Sequence, residues 1–129
     1  MPNKRQNILG KYKPVNTYKF YGTTAIYRSL WERKFMLYCD RSDAVINWSS
    51  ESIEIPYYDP TTHKWRTYYP DFAVTYVDTH SNVRKKVVEI KPHFQKTWKI
   101  NKAKWKAAQE WCKTNGYDFQ VITEKEIKP

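Results

Sequence analysis

The chain has 129 residues, of which 40% are apolar, and six Trp, eleven Tyr and five Phe supply bulky core material for one domain. It carries 23 Lys and Arg against 13 Asp and Glu, a formal net charge of +10, which favours polyanionic partners through long-range attraction and counterion release. A generally soluble basic surface is the plainer reading of the same charge. No stretch approaches roughly 18 consecutive apolar residues and residues 1–6 lack a secretory run, so a soluble intracellular protein with no membrane partner is expected.

Residues 1–22 hold Lys4, Arg5, Lys11, Lys13 and Lys19 with little hydrophobic periodicity. They read as a basic arm, solvated or contacting phosphate, ahead of a single domain over 23–129. Thr23 or Thr24 can cap a helix running to about Asp40. Ile26, Leu30, Arg33 and Leu37 recur at helical spacing, and Tyr27, Trp31, Phe35 and Tyr38 widen that apolar arc. Glu32 falls outside both stripes, beside Ser29 and Met36, and composition alone reads it as an ordinary exposed Glu.

A strand-rich block follows. Ala44–Trp48 and Ser52–Tyr58 alternate as strands, with Ile53, Ile55 and Tyr57 on one face. Asp59–Lys64 is a turn by its Asp-Pro pair. A third strand begins near Trp65 and runs into a hairpin, Tyr68–Val77 and Val83–Ile90, joined by the polar Asp78–Asn82. Pro70 argues for an edge position or a bulge just before Asp71. Beyond Pro92 and a connection over His93–Lys96, Thr97 caps a second helix, Trp98–Thr114. One face of that helix carries Ile100, Ala103, Ala107 and Trp111, and Asn115-Gly116 stops it. Lys99, Lys102, Lys106 and Lys113 line much of the remainder, a solvated face or a backbone-binding one. A last strand, Asp118–Ile122, precedes a Thr123–Glu126 capping box. The order α-β-β-β-β-α-β describes an α/β (α+β) fold, a mixed four- to five-stranded sheet flanked by helices. Cys39 and Cys112 read as buried reduced thiols, and His63, His80 and His93 are too scattered for a zinc site.

The hairpin carries the chemistry. With its turn centred on His80, positions 71 and 89 are equidistant from the centre, so Asp71 and Glu89 become cross-strand neighbours, roughly 4.5–5.5 Å apart at Cβ. Lys91 emerges on the same strand face as Glu89, and Val88 and Ile90 point to the core. Two carboxylates suit a hard divalent cation such as Mg²⁺, which takes one or two carboxylates and keeps several waters. Such an ion neutralises phosphoryl charge and lowers the pKa of an attacking water. A surface ion pair is the plainer reading of Glu89 and Lys91. The aromatic strand before Asp71, the apolar run that Glu89 interrupts and the basic helix downstream favour a site.

Pro70-Asp71 followed by Glu89-Ile90-Lys91 resembles the signature of the PD-(D/E)XK nuclease superfamily, whose core is that of the restriction endonucleases. Tyr27–Glu32 resembles the first helix of the branch containing transposon-end nucleases and small phage nucleases. Tyr27–Phe35, Ile53–Tyr57, Tyr69–Phe72 and Val88–Pro92 are most similar to the head-completion nucleases of tailed phages. The resemblance implies a Mg²⁺-dependent DNA endonuclease, with Mn²⁺ able to substitute, acting on double-stranded DNA in phage head completion after packaging. It implies Asp71, Glu89 and the Ile90 backbone carbonyl as metal ligands, Lys91 as the catalytic lysine, and Glu32 reaching the site to orient or ligate metal. Lys11, Lys13, Arg28, Lys96, Lys99, Lys102 and Lys106 are the candidates for DNA contact. Phage head or portal proteins and a second copy of the chain are the protein partners it allows, in the virion or the host cytoplasm. A non-catalytic DNA-binding head protein with a nuclease fold is the rival reading. A junction-resolving or transposon-end nuclease is a third.

Overall fold

The computed structural model describes residues 9–22 and 24–126; Lys4, Arg5 and Thr23 lie outside them. Ten regular elements follow in chain order: β1 (Gly10–Tyr12), β2 (Ala25–Tyr27), α1 (Leu30–Arg41), β3 (Val45–Ser50), β4 (Ile55–Asp59), β5 (Lys64–Tyr68), β6 (Phe72–Val77), β7 (Val83–Ile90), α2 (Lys99–Asn115) and β8 (Asp118–Ile122). Short 3-10 turns cover Thr17–Lys19 and His93–Thr97. The central sheet has the order β3-β6-β7-β8. Its first three strands are antiparallel, and β8 lies parallel to β7. Parallel neighbours need a long crossover, which α2 provides. β4 with β5 and β1 with β2 form two separate antiparallel pairs.

Strand alternation sorts the chain into two cores, one on each face of the sheet. Phe72, Val74, Val88, Ile90 and Ile122 meet Phe35, Met36 and Cys39 of α1, with Trp48 between them. On the other side Ile55, Tyr57 and Tyr68 of the β4–β5 ribbon pack with Ile53 on Ile100, Ala103, Ala107, Ala108 and Trp111 of α2. The α2 stripe expected from the sequence is the one that packs there, half-buried, while Asn101, Ala108 and Cys112 are the fully buried residues of the helix. Gly116 ends that helix in the left-handed region, φ 77°, its N–H donating to the Cys112 carbonyl, a stop that glycine makes without steric cost.

Four sequence expectations change. The first helix starts at Leu30, not after Thr23 or Thr24. Ser29 is the cap, its Oγ accepting from Glu32 N at 3.1 Å, while Ala25–Tyr27 is drawn off to pair with β1. Its inward face carries Phe35, Met36, Cys39 and Asp40, whereas Ile26, Leu30 and Tyr38 are exposed. The third strand does not run through Pro70. β5 ends at Tyr68, and β6 begins at Phe72 in a different sheet, because proline cannot continue the donor pattern. The register irregularity falls in β3, between Val45 and Asn47, rather than before Asp71. The second helix begins at Lys99 with no side-chain cap, Thr97 ending the 3-10 turn.

The stretch read as a basic arm is, over its described residues, part of the packed fold. Lys19 is buried, and its Nζ donates to the carbonyls of Cys39 (3.3 Å), Asp40 (3.2 Å) and Ser42 (2.6 Å). That places an ammonium on the unsatisfied C-terminal carbonyls of α1, where the helix dipole favours a cation. The Asp40 carboxylate turns the other way and accepts from Tyr12 Oη and from the backbone N–H groups of Val15 and Asn16, the last two at 2.9 Å. Burial opposes its charge, but the hydrogen bonds and the Lys19 ammonium outweigh burial and hold the carboxyl below its ordinary value. The stability it contributes is therefore complete above the ordinary carboxylate range and is lost as pH falls through the lowered value. Asp40→Asn should cost about 2–3 kcal/mol at neutral pH, read from urea midpoints, and the gap between variant and wild type should close in acid.

Candidate active site

The β6–β7 register pairs Phe72 with Val88 and Val77 with Val83, and carrying it one residue further sets Asp71 opposite Glu89. The backbone ladder stops there and the two carboxylates continue it. Asp71 Oδ2 accepts from Ile90 N at 2.7 Å, and Glu89 Oε1 accepts from Asp71 N at 3.3 Å. Each acid thus ties down the other strand. The Ile90 N–H faces the β6 side, and in a strand the carbonyl of the same residue faces that side too. Its antiparallel partner would be residue 70, a proline with no N–H to donate. Pro70 therefore leaves the Ile90 carbonyl without its ladder donor beside both acids.

Both carboxylates are held in low-dielectric surroundings. Glu89 is 2% exposed. Burial and the neighbouring Glu89 charge push the Asp71 carboxyl well up, and burial pushes Glu89 up against the pull of Lys91. Lys91 Nζ lies 3.7 Å from Glu89 Oε2. A cleft of about 230 Å³ opens at this end of the sheet, lined by Asp71, Ile90, Lys91, Pro92 and Gln95 and by Arg28, Ser29, Trp31 and Glu32 at the start of α1. Glu89 does not line that cleft but touches two residues that do, Asp71 and Lys91.

Glu32 is not the exposed residue that its position outside the apolar stripe suggested. It is a turn from Met36 on the inward face of α1, and its Oε1 accepts from Arg28 N at 3.2 Å. Burial first, then the charge of Asp71, push its carboxyl up to about 7. The signal for this orientation was present as Ser29-x-x-Glu32, a capping box. Arg28, an expected DNA contact, is ion-paired with Glu51 in the cleft wall. Glu51 has φ 52° and donates its N–H to the Asp71 carbonyl at 3.0 Å. Lys96 stands in the turn after the cleft, Lys99, Lys102 and Lys106 are exposed along α2, and Lys11 and Lys13 are exposed in and after β1.

Three further residues crowd Glu89 from the α2 side. Lys104 Nζ sits 5.5 Å from the Tyr68 ring centroid and 5.9 Å from that of Tyr57, and burial followed by the charge of Lys91 lowers its pKa against the opposing pull of Glu89. The Tyr68 hydroxyl is buried beside Glu89, and burial with that charge pushes it up. It and the buried Trp105 indole N–H have no well-formed hydrogen-bond partner. Lys104 was legible as the one cation inside the Ile100-to-Trp111 stripe.

The donor set fits a hard divalent cation. Two carboxylates lie beside the Ile90 backbone, and of the two only Glu89 is paired with a cation, Lys91 at 3.7 Å. Among the described residues no group of three or more His, Cys, Asp and Glu side chains is placed to hold a metal ion, but a cation that keeps its waters needs only one or two carboxylates.

A mixed sheet that ends in a proline-preceded Asp and a Glu-x-Lys on neighbouring strands defines a nuclease of the PD-(D/E)XK type. The chain belongs to the family described as TnsA-like endonuclease, N-terminal, which it matches over residues 42–124. That span includes Asp71, Glu89, Ile90 and Lys91 and excludes Glu32. The chain is also similar to the head completion nuclease of Enterobacteria phage T4, with 29% identity over 143 aligned residues that cover 92% of this chain and 93% of that protein.

In the absence of divalent cations this cluster should weaken the fold. A carboxyl whose folded pKa is raised keeps its proton longer in the native state, so stability is greatest below the ordinary value and falls as pH rises through the raised one. For Glu32 that window runs from 4.5 to about 7. In EDTA the melting temperature should fall across that range, and Glu89→Gln should raise it at pH 7.

Proposed function

We propose that the chain is a divalent-metal-dependent endodeoxyribonuclease that hydrolyses phosphodiester bonds and acts in phage head completion after DNA packaging. The reading rests on one observation, the reciprocal clasp of Asp71 and Glu89 at Ile90, with Lys91 paired to Glu89. Asp71, Glu89 and the Ile90 carbonyl would hold the cation, with Mg²⁺ the natural occupant of so oxygen-rich a set and Mn²⁺ a substitute. Once bound, the cation supplies charge neutralisation on the phosphoryl oxygens and a water of lowered pKa.

The remaining residues position and protect. Lys91 carries the positive charge that faces the scissile phosphate and orients the attacking water. Glu32, with a pKa near 7, is matched to accept or pass a proton at neutral pH. Trp31 and Pro92 wall the cleft. Arg28 exchanges Glu51 for a substrate phosphate, and Lys96, Lys99, Lys102 and Lys106 extend the phosphate track along α2, with Lys11 and Lys13 on the N-terminal side. The head-completion role draws on the nearly full-length similarity to the phage T4 protein; head or portal proteins are then its neighbours in the virion.

Asp71→Ala and Glu89→Ala should each abolish cleavage of linear duplex DNA while leaving circular dichroism unchanged, and EDTA should do the same to wild type. Lys91→Ala should lower the rate about 100-fold or more. Unimpaired cutting by both acid variants would sink the proposal. The phosphate track has a separate signature: Lys99→Gln, Lys102→Gln and Lys106→Gln together should reduce the slope of log affinity against log salt by about 0.9 for each phosphate no longer neutralised.

A further inference from the structure

Phe94 and Trp98 are 58% and 47% exposed, and neither belongs to either hydrophobic core. Their ring centroids are 5.8 Å apart with planes at 71°, so they form one aromatic surface rather than two scattered residues, which alone would need no explanation. The turn that carries them is firmly held. Gln95 N donates to the Pro92 carbonyl at 3.0 Å and Trp98 N to the Gln95 carbonyl at 3.1 Å. The buried Asn101 side chain donates to the same Gln95 carbonyl at 3.0 Å, and His93 N donates to Glu124 Oε1 at 2.7 Å. The rings are thus displayed on a pinned segment that gains nothing from exposing them.

Their place is equally specific. The turn begins directly after Lys91, and Pro92 and Gln95, at its start and middle, both line the catalytic cleft. Lys96, Lys99 and Lys102 flank the pair in the chain, the last two exposed. Aromatic faces set among ammonium groups match a nucleic-acid strand, with rings against bases and ammoniums against phosphates. A protein partner is a poorer match, because a stable interface takes about 800 Å² from each side and burying those lysines would strand several charges.

We propose that Phe94 and Trp98 are a stacking platform for an unpaired nucleobase next to the scissile phosphate. Base faces are covered inside a stacked duplex, so such a platform engages DNA where a base is free, at a frayed end, a single-stranded extension or a branch. The cleft then prefers cuts beside such positions. This inference rests on the nuclease reading of the cleft.

The test compares a blunt duplex with the same duplex bearing an unpaired extension that contains 2-aminopurine. Binding is followed by anisotropy in EDTA, for wild type, Phe94→Ala, Trp98→Ala, the double variant and Trp98→Phe. Stacking is worth about 1–3 kcal/mol per base, so losing the platform should weaken binding of the extended DNA about 5- to 150-fold. Blunt duplex binding should stay within about twofold. Wild type should quench the 2-aminopurine, the double variant should not, and Trp98→Phe should restore most of both readouts. Equal loss on the two DNAs, or no loss on the extended one, overturns the platform. Cleavage with Mg²⁺ is scored separately: wild type that cuts no DNA overturns the nuclease reading, while wild type that cuts with no dependence on either ring overturns only this inference.

Discussion

The site depends on the register between β6 and β7. Their pairing places Val88 and Phe72 in one core and sends Glu89 and Asp71 toward the other side. A slip of one residue would exchange those faces, burying the carboxylates among Phe35 and Met36 and turning the valines out. Both cores therefore enforce the position of the acids. Pro70 adds the final constraint, since it stops the ladder where the carboxylates take over its last hydrogen bonds.

Electrostatics at this end of the sheet run against the character of the molecule as a whole. The chain is strongly basic, yet Glu32, Glu51, Asp71 and Glu89 converge here, with Arg28, Lys91 and Lys104 interleaved among them. Arg28 pairs with Glu51 and Lys91 with Glu89, which leaves Asp71 and Glu32 without an ion-pair partner among the described residues. Exposed lysines of α2 and β1 add a field that attracts a polyanion. Attraction of substrate and affinity for a cation are thus assigned to different shells of the same molecule.

What the sequence made legible, and what it hid, follows from how local each signal is. The hairpin register could be counted because its turn is tight: Asp78 Oδ1 accepts from the N–H groups of both His80 and Asn82, and strand periodicity carries the count to Asp71. The second helix and the last strand had clear stripes and a glycine stop. The first helix misled because aromatic residues abound on all its sides, and tertiary packing chose the Met36–Cys39 side over the Leu30–Leu37 one. That choice turned Glu32 inward. β1 and β2 are three residues each, too short for any periodicity, and a lysine read by composition as solvated became the C-terminal cap of α1. Lys104, Tyr68 and Trp105 gather around Glu89 only because α2 and the β4–β5 ribbon meet there, and those segments are distant in sequence.

The pair of carboxylates also bears on how such proteins diverge. Functional sites commonly store strain that the rest of the fold offsets. Here burial opposes the charge of both acids, although each also closes the ladder with a hydrogen bond. A neutral amide at either position would remove the charge and keep an oxygen for the hydrogen bond, so a protein of this kind can lose the chemistry and keep the fold.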